Sequence, residues 1–251
     1  MTGIIIHGAM GAMGRAVAEL AEKDEQVKIV AGIDRETGSG GAFPIYSSLE
    51  ECDREADVVV DFSTAGAVDG LLKSCVKKGL PLVLCTTGLS EEQLAAVDEA
   101  AKRIPILRSG NMSLGINLLL RLVEEAAGVL LAADFDPEIV EMHHRRKLDA
   151  PSGTAIMLAE AVGRAVDGTY ETCLDRHERR QSRPKKEIGI QSVRGGTIVG
   201  EHDVIFAGPD ELIEIRHVAY SRAVFANGAL QAAKALTKRG PGLCTMKDII
   251  E

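Results

Sequence analysis

The stretch 3-GIIIHGAMGAMGRAVAELAEK-23 decides how this chain folds. GIIIHG (3–8) is a short β-branched run and reads as a strand buried on both faces. GRAVAELAEK (14–23) carries apolar residues at helical spacing and reads as an amphipathic helix. Glycines at 8, 11 and 14 join the two. Glycine allows a tight turn and lets backbone N–H groups approach a pyrophosphate, which the positive end of the following helix attracts. The spacing is G-x-x-G-x-x-G, a variant of the commoner G-x-G-x-x-G. A nucleotide loop of this kind needs an acidic residue after the second strand, to hold the adenosine ribose. Asp34 stands there, at the end of VKIVAGID (27–34). Arg35 follows at once. An aspartate favours a free 2′-hydroxyl and an arginine pairs with a 2′-phosphate, so use of both NADH and NADPH is expected. The competing readings are a ligand-free glycine turn and a solvated Arg35.

The same alternation continues outward. DVVVDFS (57–63), LPLVLCTT (80–87) and IPILRSG (104–110) read as further strands, with helices to about Lys78 and from an N-cap at Ser90 to about Lys102. Apolar strands spaced by helices imply α/β architecture, a Rossmann-like doubly wound parallel sheet covered on both faces. Ligands lie outside the carboxyl ends of such strands. That rule points to Phe62-Ser63-Thr64, to Cys85-Thr86-Thr87-Gly88 and to Ser109-Gly110-Asn111-Met112. For Cys85 a redox or nucleophilic role competes with that of a small buried thiol.

After Gly110 the pattern changes. LGINLLLRLVEEAAGVLL (114–131) and GTAIMLAEAVGRAV (153–166) read as helices. FDPEIVEMHH (135–144), IGIQSVR (188–194), HDVIFAG (202–208) and ELIEIRHVA (211–219) read as strands. This makes a second, α+β domain. Residues 167–187 show no periodicity, and the basic run from Arg176 to Lys186 reads as a mobile surface loop. A last helix, 221–238, stops at Gly240-Pro241.

Composition excludes several classes. The chain has 251 residues and a formal net charge of −8, with no tryptophan and few other aromatics. So acidic a protein, so short of stacking side chains, is a poor nucleic-acid binder. No apolar run is long enough to span a bilayer, and the N-terminus does not read as a signal peptide. The five scattered cysteines include no C-x-x-C pair, which points to reduced thiols in a cytoplasm rather than to disulfides or a thiolate zinc site.

One stretch breaks the acidic balance: EMHHRRKLDAPSGTA (141–155). If residues 139–147 are extended, His143, Arg145 and Lys147 share one face, and His144 and Arg146 the other. PSGT then leads into a helix, where Gly153 and Thr154 offer N–H groups and a hydroxyl. A helix N-terminus beside several cations is a receptor for carboxylates, and more than one carboxylate is expected. Histidine and a lysine crowded by cations can supply a proton near neutral pH. A solvated basic surface is the bland alternative. A metal on His143 and His144 with Glu141 or Asp149 is disfavoured, because neighbours on a strand diverge and adjacent cations repel the ion. Asp149 and Ser152 read as caps as readily as catalysts. His7, His177, His202 and His217 have no spacing that assigns a role.

The stretch E-x-H-H-x-x-K-x-D-A-P-S-G-T-A resembles the signature of the 4-hydroxy-tetrahydrodipicolinate reductase family. GAMGAMGRAV, CTTG, SGNMSLGIN, VRGGTIVGEH and HVAYSRAVFANGAL are similar to its other segments, so the resemblance covers nearly the whole chain. It implies reduction of (2S,4S)-4-hydroxy-2,3,4,5-tetrahydrodipicolinate to tetrahydrodipicolinate with loss of water, on the diaminopimelate route to lysine. It implies His143 as proton donor and Lys147 as its partner acid, with His144, Gly153 and Thr154 on the substrate. It maps the nucleotide onto Gly8, Ala9, Met10, Gly11, Ala12, Met13, Asp34, Arg35, Cys85, Thr86, Thr87, Ser109, Gly110, Asn111 and Met112. No good metal site is visible in the sequence. It implies a dinucleotide-binding domain of residues 1–112 and 220–251, to which the last helix returns. Residues 113–219 would form the substrate and oligomerisation domain of a cytoplasmic homotetramer. Cys85 stands where glycine is common, and Ser63-Thr64 lacks a basic residue seen in some relatives. Two other readings fit the architecture: another amino-acid-pathway reductase, or a non-catalytic regulator that senses NAD(P)H.

Overall fold

Ile4, Ile5 and Ile6 are fully buried in the centre of the first strand, β1 (Thr2–His7). Their side chains alternate between two apolar clusters, one on each face of the sheet. A strand with a core on both sides is what the isoleucine run demanded. The computed structural model describes residues 1–39, 41–166 and 169–250. Gly40, Asp167, Gly168 and Glu251, which fall within the expected domain ranges and the aperiodic segment, lie outside the described residues.

Along the first part of the chain, β1 is followed by α1 (Ala12–Ala21), β2 (Val27–Ile33), β3 (Gly38–Ser39), β4 (Pro44–Tyr46), β5 (Val58–Asp61) and α2 (Ala65–Lys78). Then come β6 (Leu82–Leu84), α3 (Glu91–Ala101) and β7 (Pro105–Arg108). Next are α4 (Leu114–Leu130), β8 (Asp136–His143), α5 (Gly153–Arg164), β9 (Glu171–Cys173), β10 (Glu187–Arg194), β11 (Gly200–Ala207) and β12 (Leu212–Ala219). The chain ends with α6 (Ala223–Leu236), β13 (Gly242–Cys244) and α7 (Lys247–Ile250).

Two compact units result: Met1–Leu114 with Arg222–Glu251, and Gly115–Ser221. The first holds a sheet of order β13-β7-β6-β5-β1-β2-β4-β3, parallel except where β3 meets β4. Buried residues of α1 and α6 pack on one face, and those of α2 and α3 on the other. The doubly wound sheet is therefore present. Its strands are shorter than their apolar runs. The expected strands 57–63, 80–87 and 104–110 stop at Asp61, Leu84 and Arg108. The surplus residues leave the sheet as loops at its carboxyl edge.

The second unit is a mixed sheet of order β12-β11-β8-β10-β9, parallel from β8 to β9 and antiparallel from β8 to β12. Helices α4 and α5 join its apolar core. On β8 burial alternates strictly, so Pro137, Ile139, Glu141 and His143 share the buried side. The basic run 176–186 is not a loose loop. Arg176 holds Glu138 and Glu187, Arg179 holds Glu187, and Arg183 reaches Asp136 and Glu138. Its carboxylate partners lie on β8 and β10, which the local sequence does not reveal.

Glycine matters at one tight crossing. A Cβ on Gly228 of α6 would sit 1.7 Å from the Met112 carbonyl oxygen, whereas one on Gly163 of α5 meets nothing within 4 Å. Gly228→Ala is expected to cost about 1–3 kcal/mol by overpacking. Gly163→Ala is expected to gain about 0.5–1 kcal/mol from helix propensity. Urea denaturation midpoints of the two variants check both signs.

Candidate active site

The first unit has a cavity of about 640 Å³ at the carboxyl edge of its sheet, lined in part by Gly8, Met10, Gly11, Asp34 and Arg35. Gly8 takes φ +80°, and a Cβ there would lie 2.6 Å from the Phe62 carbonyl oxygen. A Cβ on Gly14 would lie 2.3 Å from the Gly8 carbonyl oxygen. Only glycine lets this loop close. Gly11 and Thr64, the N-cap residues of α1 and α2, both line the cavity, and neither helix start has a side-chain cap. By contrast Ser90 and Gln93 close a capping box on α3. First-turn N–H groups without a cap are a ready anion receptor. Asp34 accepts the Met10 N–H at 2.8 Å and the Arg35 N–H at 2.8 Å, which fixes its carboxylate at the end of β2. A dinucleotide fits this donor set: open N–H groups for the pyrophosphate and an anchored carboxylate for the ribose.

The other nucleotide candidates fall in three groups. Ala9 and Met13 pack into the core and shape the loop from beneath, while Ala12 opens α1. Cys85, Thr86 and Thr87 follow β6 directly. Cys85 is buried and its thiol is pushed well up by burial and by Asp61, which leaves no thiolate for redox or nucleophilic work. Ser109, Gly110, Asn111 and Met112 follow β7. The Ser109 hydroxyl bonds the Asn111 carbonyl at 2.7 Å, and Met112 is buried in the core.

The second unit holds the cationic stretch, and its geometry differs from an extended run. The strand β8 ends at His143 and a turn follows at Arg145–Arg146, with the Lys147 N–H donating to the His144 carbonyl at 3.0 Å. Arg145 and Arg146 face solvent. The alternation expected for His143, Arg145 and Lys147 therefore stops at His143. The run bends because Gly195 and Gly196 supply the backbone partners: the Gly195 N–H meets the His143 carbonyl and the Arg145 N–H meets the Gly196 carbonyl. Lys147 lies beyond the turn, 2.8 Å from Asp149, and its charge still acts on His143.

Behind His143 stands Glu141, completely buried. Its carboxylate takes both Arg194 Nη groups, at 2.8 and 2.6 Å, and the Ser152 N–H at 3.1 Å. Burial pushes this acid up, but the hydrogen bonds from Arg194, Ser192 and His143 outweigh it and hold it at about 2. The ionised carboxylate can only accept, so His143 Nδ1, 2.6 Å away, carries the hydrogen. Nε2 is left with the lone pair. Gly200 stands in front of it: a Cβ there would come within 3.1 Å of Nε2. Burial pushes His143 below the usual histidine value against the pull of Glu141, so the ring is neutral at neutral pH.

Ser152 caps α5, accepting the Ala155 N–H at 3.2 Å, and its hydroxyl lies 3.0 Å from His202 Nε2. His202 is held at about 3 by burial and the His143 charge, and its ring meets His143 edge-on at 5.2 Å. Sequence spacing assigned no role to Arg194 or His202, and weighed Glu141 only as a ligand of a disfavoured metal site. The strand alternation on β8 was the available signal for Glu141. Gly153 opens α5 with free space before it. His144 is half-buried, and its Nδ1 has no hydrogen-bond partner among the described residues. No group of three or more metal-ligating side chains occurs among the described residues, and no helix there is long and apolar enough to cross a membrane.

A glycine-built dinucleotide cradle in one unit and a carboxylate-backed imidazole in the other are the parts of a nicotinamide-dependent oxidoreductase. The family profile described as dihydrodipicolinate reductase, N-terminus, matches residues 2–112, and that for the C-terminus matches residues 115–250. The chain is 53% identical over 251 residues to the 4-hydroxy-tetrahydrodipicolinate reductase of Caldanaerobacter subterraneus subsp. tengcongensis, covering 100% of this chain and 99% of that one. It is 44% identical over 253 residues to that of Clostridium novyi, with 100% and 99% covered. A dipicolinate-bound dihydrodipicolinate reductase from Paenisporosarcina sp. TG-14 has the same fold, with TM-score 0.80, 25% identity and 98% and 97% of the two chains covered. The chain belongs to the dihydrodipicolinate reductase family. Its activity is that of a 4-hydroxy-tetrahydrodipicolinate reductase in lysine and diaminopimelate biosynthesis, with a nicotinamide cofactor.

The pairing of Glu141 has a pH signature. A carboxylate lowered from 4.5 to about 2 stabilises the fold fully above about pH 4.5 and loses that contribution as pH falls through about 2. The stability gap between the wild type and Glu141→Gln is therefore expected to be flat above pH 5 and to shrink on acidification. Chemical denaturation from pH 7 to pH 3 measures it, and a gap independent of pH would contradict the assignment.

Proposed function

We propose that His143 is the proton donor of this reduction, with Lys147 as its partner acid. The observation that carries the reading is the imidazole clamped at Nδ1 by an ionised, buried Glu141, with Nε2 facing a glycine. Loss of the 4-hydroxyl as water consumes one proton for each hydride delivered. The nicotinamide, when bound, supplies the hydride. Glu141 favours the imidazolium that must form before transfer, while burial and the Lys147 and Arg194 charges oppose it in the free protein. An anionic substrate beside the ring shifts that balance towards the protonated form, so the acid charges when its substrate arrives.

The substrate carries two carboxylates, in keeping with the dipicolinate held by the Paenisporosarcina relative. Gly153 and Thr154 at the start of α5, together with His144, are suited to one of them. On the nucleotide side, Gly8, Ala9, Met10, Gly11, Ala12 and Met13 form the pyrophosphate loop and Asp34 takes the adenosine ribose. Cys85, Thr86, Thr87, Ser109, Gly110, Asn111 and Met112 serve the nicotinamide half through the loops after β6 and β7. Arg35, exposed beside Asp34, gives a 2′-phosphate a partner, which supports dual use of NADH and NADPH. The apolar side chains of Val193, Leu212 and Ile213, exposed on the five-stranded sheet, support a homotetramer assembled through it. All five cysteines are free thiols, in keeping with a reducing cytoplasm.

The test is a coupled assay in which the preceding synthase makes the substrate from pyruvate and aspartate semialdehyde. Nucleotide absorbance is followed with NADH and NADPH separately. Turnover with both is expected; turnover with one alone would end the dual-use reading. His143→Gln and Lys147→Ala are each expected to lower kcat by roughly 10²–10⁴-fold, the usual share of acid–base catalysis. Either variant retaining full kcat would remove its residue from the role. Asp34→Ala is expected to weaken NADH more than NADPH, and an unchanged NADH Kd would remove its ribose role.

A further inference from the structure

His7 stands at the carboxyl end of β1, directly opposite Asp61 at the end of β5. The sheet order turns at this pair: β2, β4 and β3 extend to one side, and β6, β7 and β13 to the other. In a doubly wound sheet that reversal is where a nucleotide crosses the strand ends. The imidazole Nδ1 lies 2.6 Å from Asp61 Oδ1. Asp61 is completely buried and its two oxygens are taken: Oδ1 also accepts the Ser63 N–H at 3.1 Å, and Oδ2 accepts the Thr86 hydroxyl at 2.6 Å. A carboxylate so held orients the ring, and as an acceptor it leaves the hydrogen on Nδ1 and a lone pair on Nε2. His7 lines the same cavity as Asp34, Arg35 and Ser47. An acceptor in that wall suits a hydroxyl donor.

We propose that His7 is a nucleotide-binding residue whose Nε2 accepts a hydrogen bond from the adenosine ribose, and that Asp61 is the positioning residue that fixes its ring. The proposal rests on the nucleotide reading of the glycine loop. It adds a second polar contact to the adenosine half, on the opposite strand from Asp34. A pair that merely joins β1 to β5 would leave ligand affinity unchanged.

The experiment is calorimetric titration of the full-length protein with ADP-ribose and, separately, reduced nicotinamide mononucleotide, with melting temperatures measured in parallel. His7→Ala is expected to weaken ADP-ribose roughly 3- to 10-fold, the worth of one hydrogen bond, and to leave the mononucleotide unchanged. Asp61→Asn is expected to weaken ADP-ribose as well, and His7→Ala with Asp61→Asn together no further than His7→Ala alone. If His7→Ala fails to fold, His7→Asn replaces it: its amide still reaches Asp61 but not the ribose, and the same weakening is expected. A lowered melting temperature with unchanged ADP-ribose affinity would overturn the proposal and leave a strand staple. Asp34→Ala separates the two levels. If it weakens ADP-ribose and His7→Ala does not, only this inference falls. If neither changes affinity, the nucleotide reading of the cavity falls with it.

Discussion

The second unit of this chain depends on one buried carboxylate. Glu141 joins three elements that are far apart in sequence: its own strand β8, Arg194 at the end of β10, and the backbone of Ser152 at the entry to α5. A lone charge in that position would be costly to desolvate. The bidentate guanidinium, the Ser192 side chain and the Ser152 N–H offset the cost, and a further contact goes to His143. The same interaction that settles the interior therefore sets the tautomer of the ring proposed as the proton donor. Replacing the cluster with apolar side chains would preserve packing and lose the chemistry.

Two periodicities deliver those groups. On β8 the period of two puts Glu141 and His143 on one face, and the parallel register sets Arg194 beside His143. On β11 the antiparallel register brings His202 opposite Glu141, so that its ring reaches Ser152 Oγ. His202 stays neutral, and it braces the cap of α5 without adding charge beside His143. Glycines at 195, 196 and 200 flank this stretch, two through backbone bonds and one by leaving space at His143 Nε2.

How much of this the sequence discloses follows from the range of each interaction. The strand–helix alternation of residues 3–108 was readable, because core burial imposes it locally. The glycine loop and Asp34 were readable because a tight turn restricts residue type. Short elements such as β4, β9 and β13 were not, since three residues carry no period. The turn at Arg145–Arg146 was hidden for a different reason: its backbone partners are Gly195 and Gly196, some fifty residues away. The arginines at 176, 179 and 183 looked like a solvated run because Glu138 and Glu187 are remote in sequence. His202 gave no signal, as nothing in its neighbourhood names Ser152.

The two helix starts, α1 and α5, also offer an anion opposite kinds of partner. At α1 the receptor is backbone: no side chain caps Gly11, and the loop exists only because glycines at 8 and 14 let carbonyl oxygens approach. Such a site recognises phosphate by shape and dipole, and tolerates variation in its side chains provided they stay small. At α5 the helix start is already capped by Ser152, which takes one first-turn N–H for itself. The charge beside it is carried by side chains, and these are tuned by burial. The glycine loop is thus constrained by sterics and the His143 cluster by electrostatics. That division explains why the first is written in glycines and the second in the buried pairings of Glu141, His143 and Arg194.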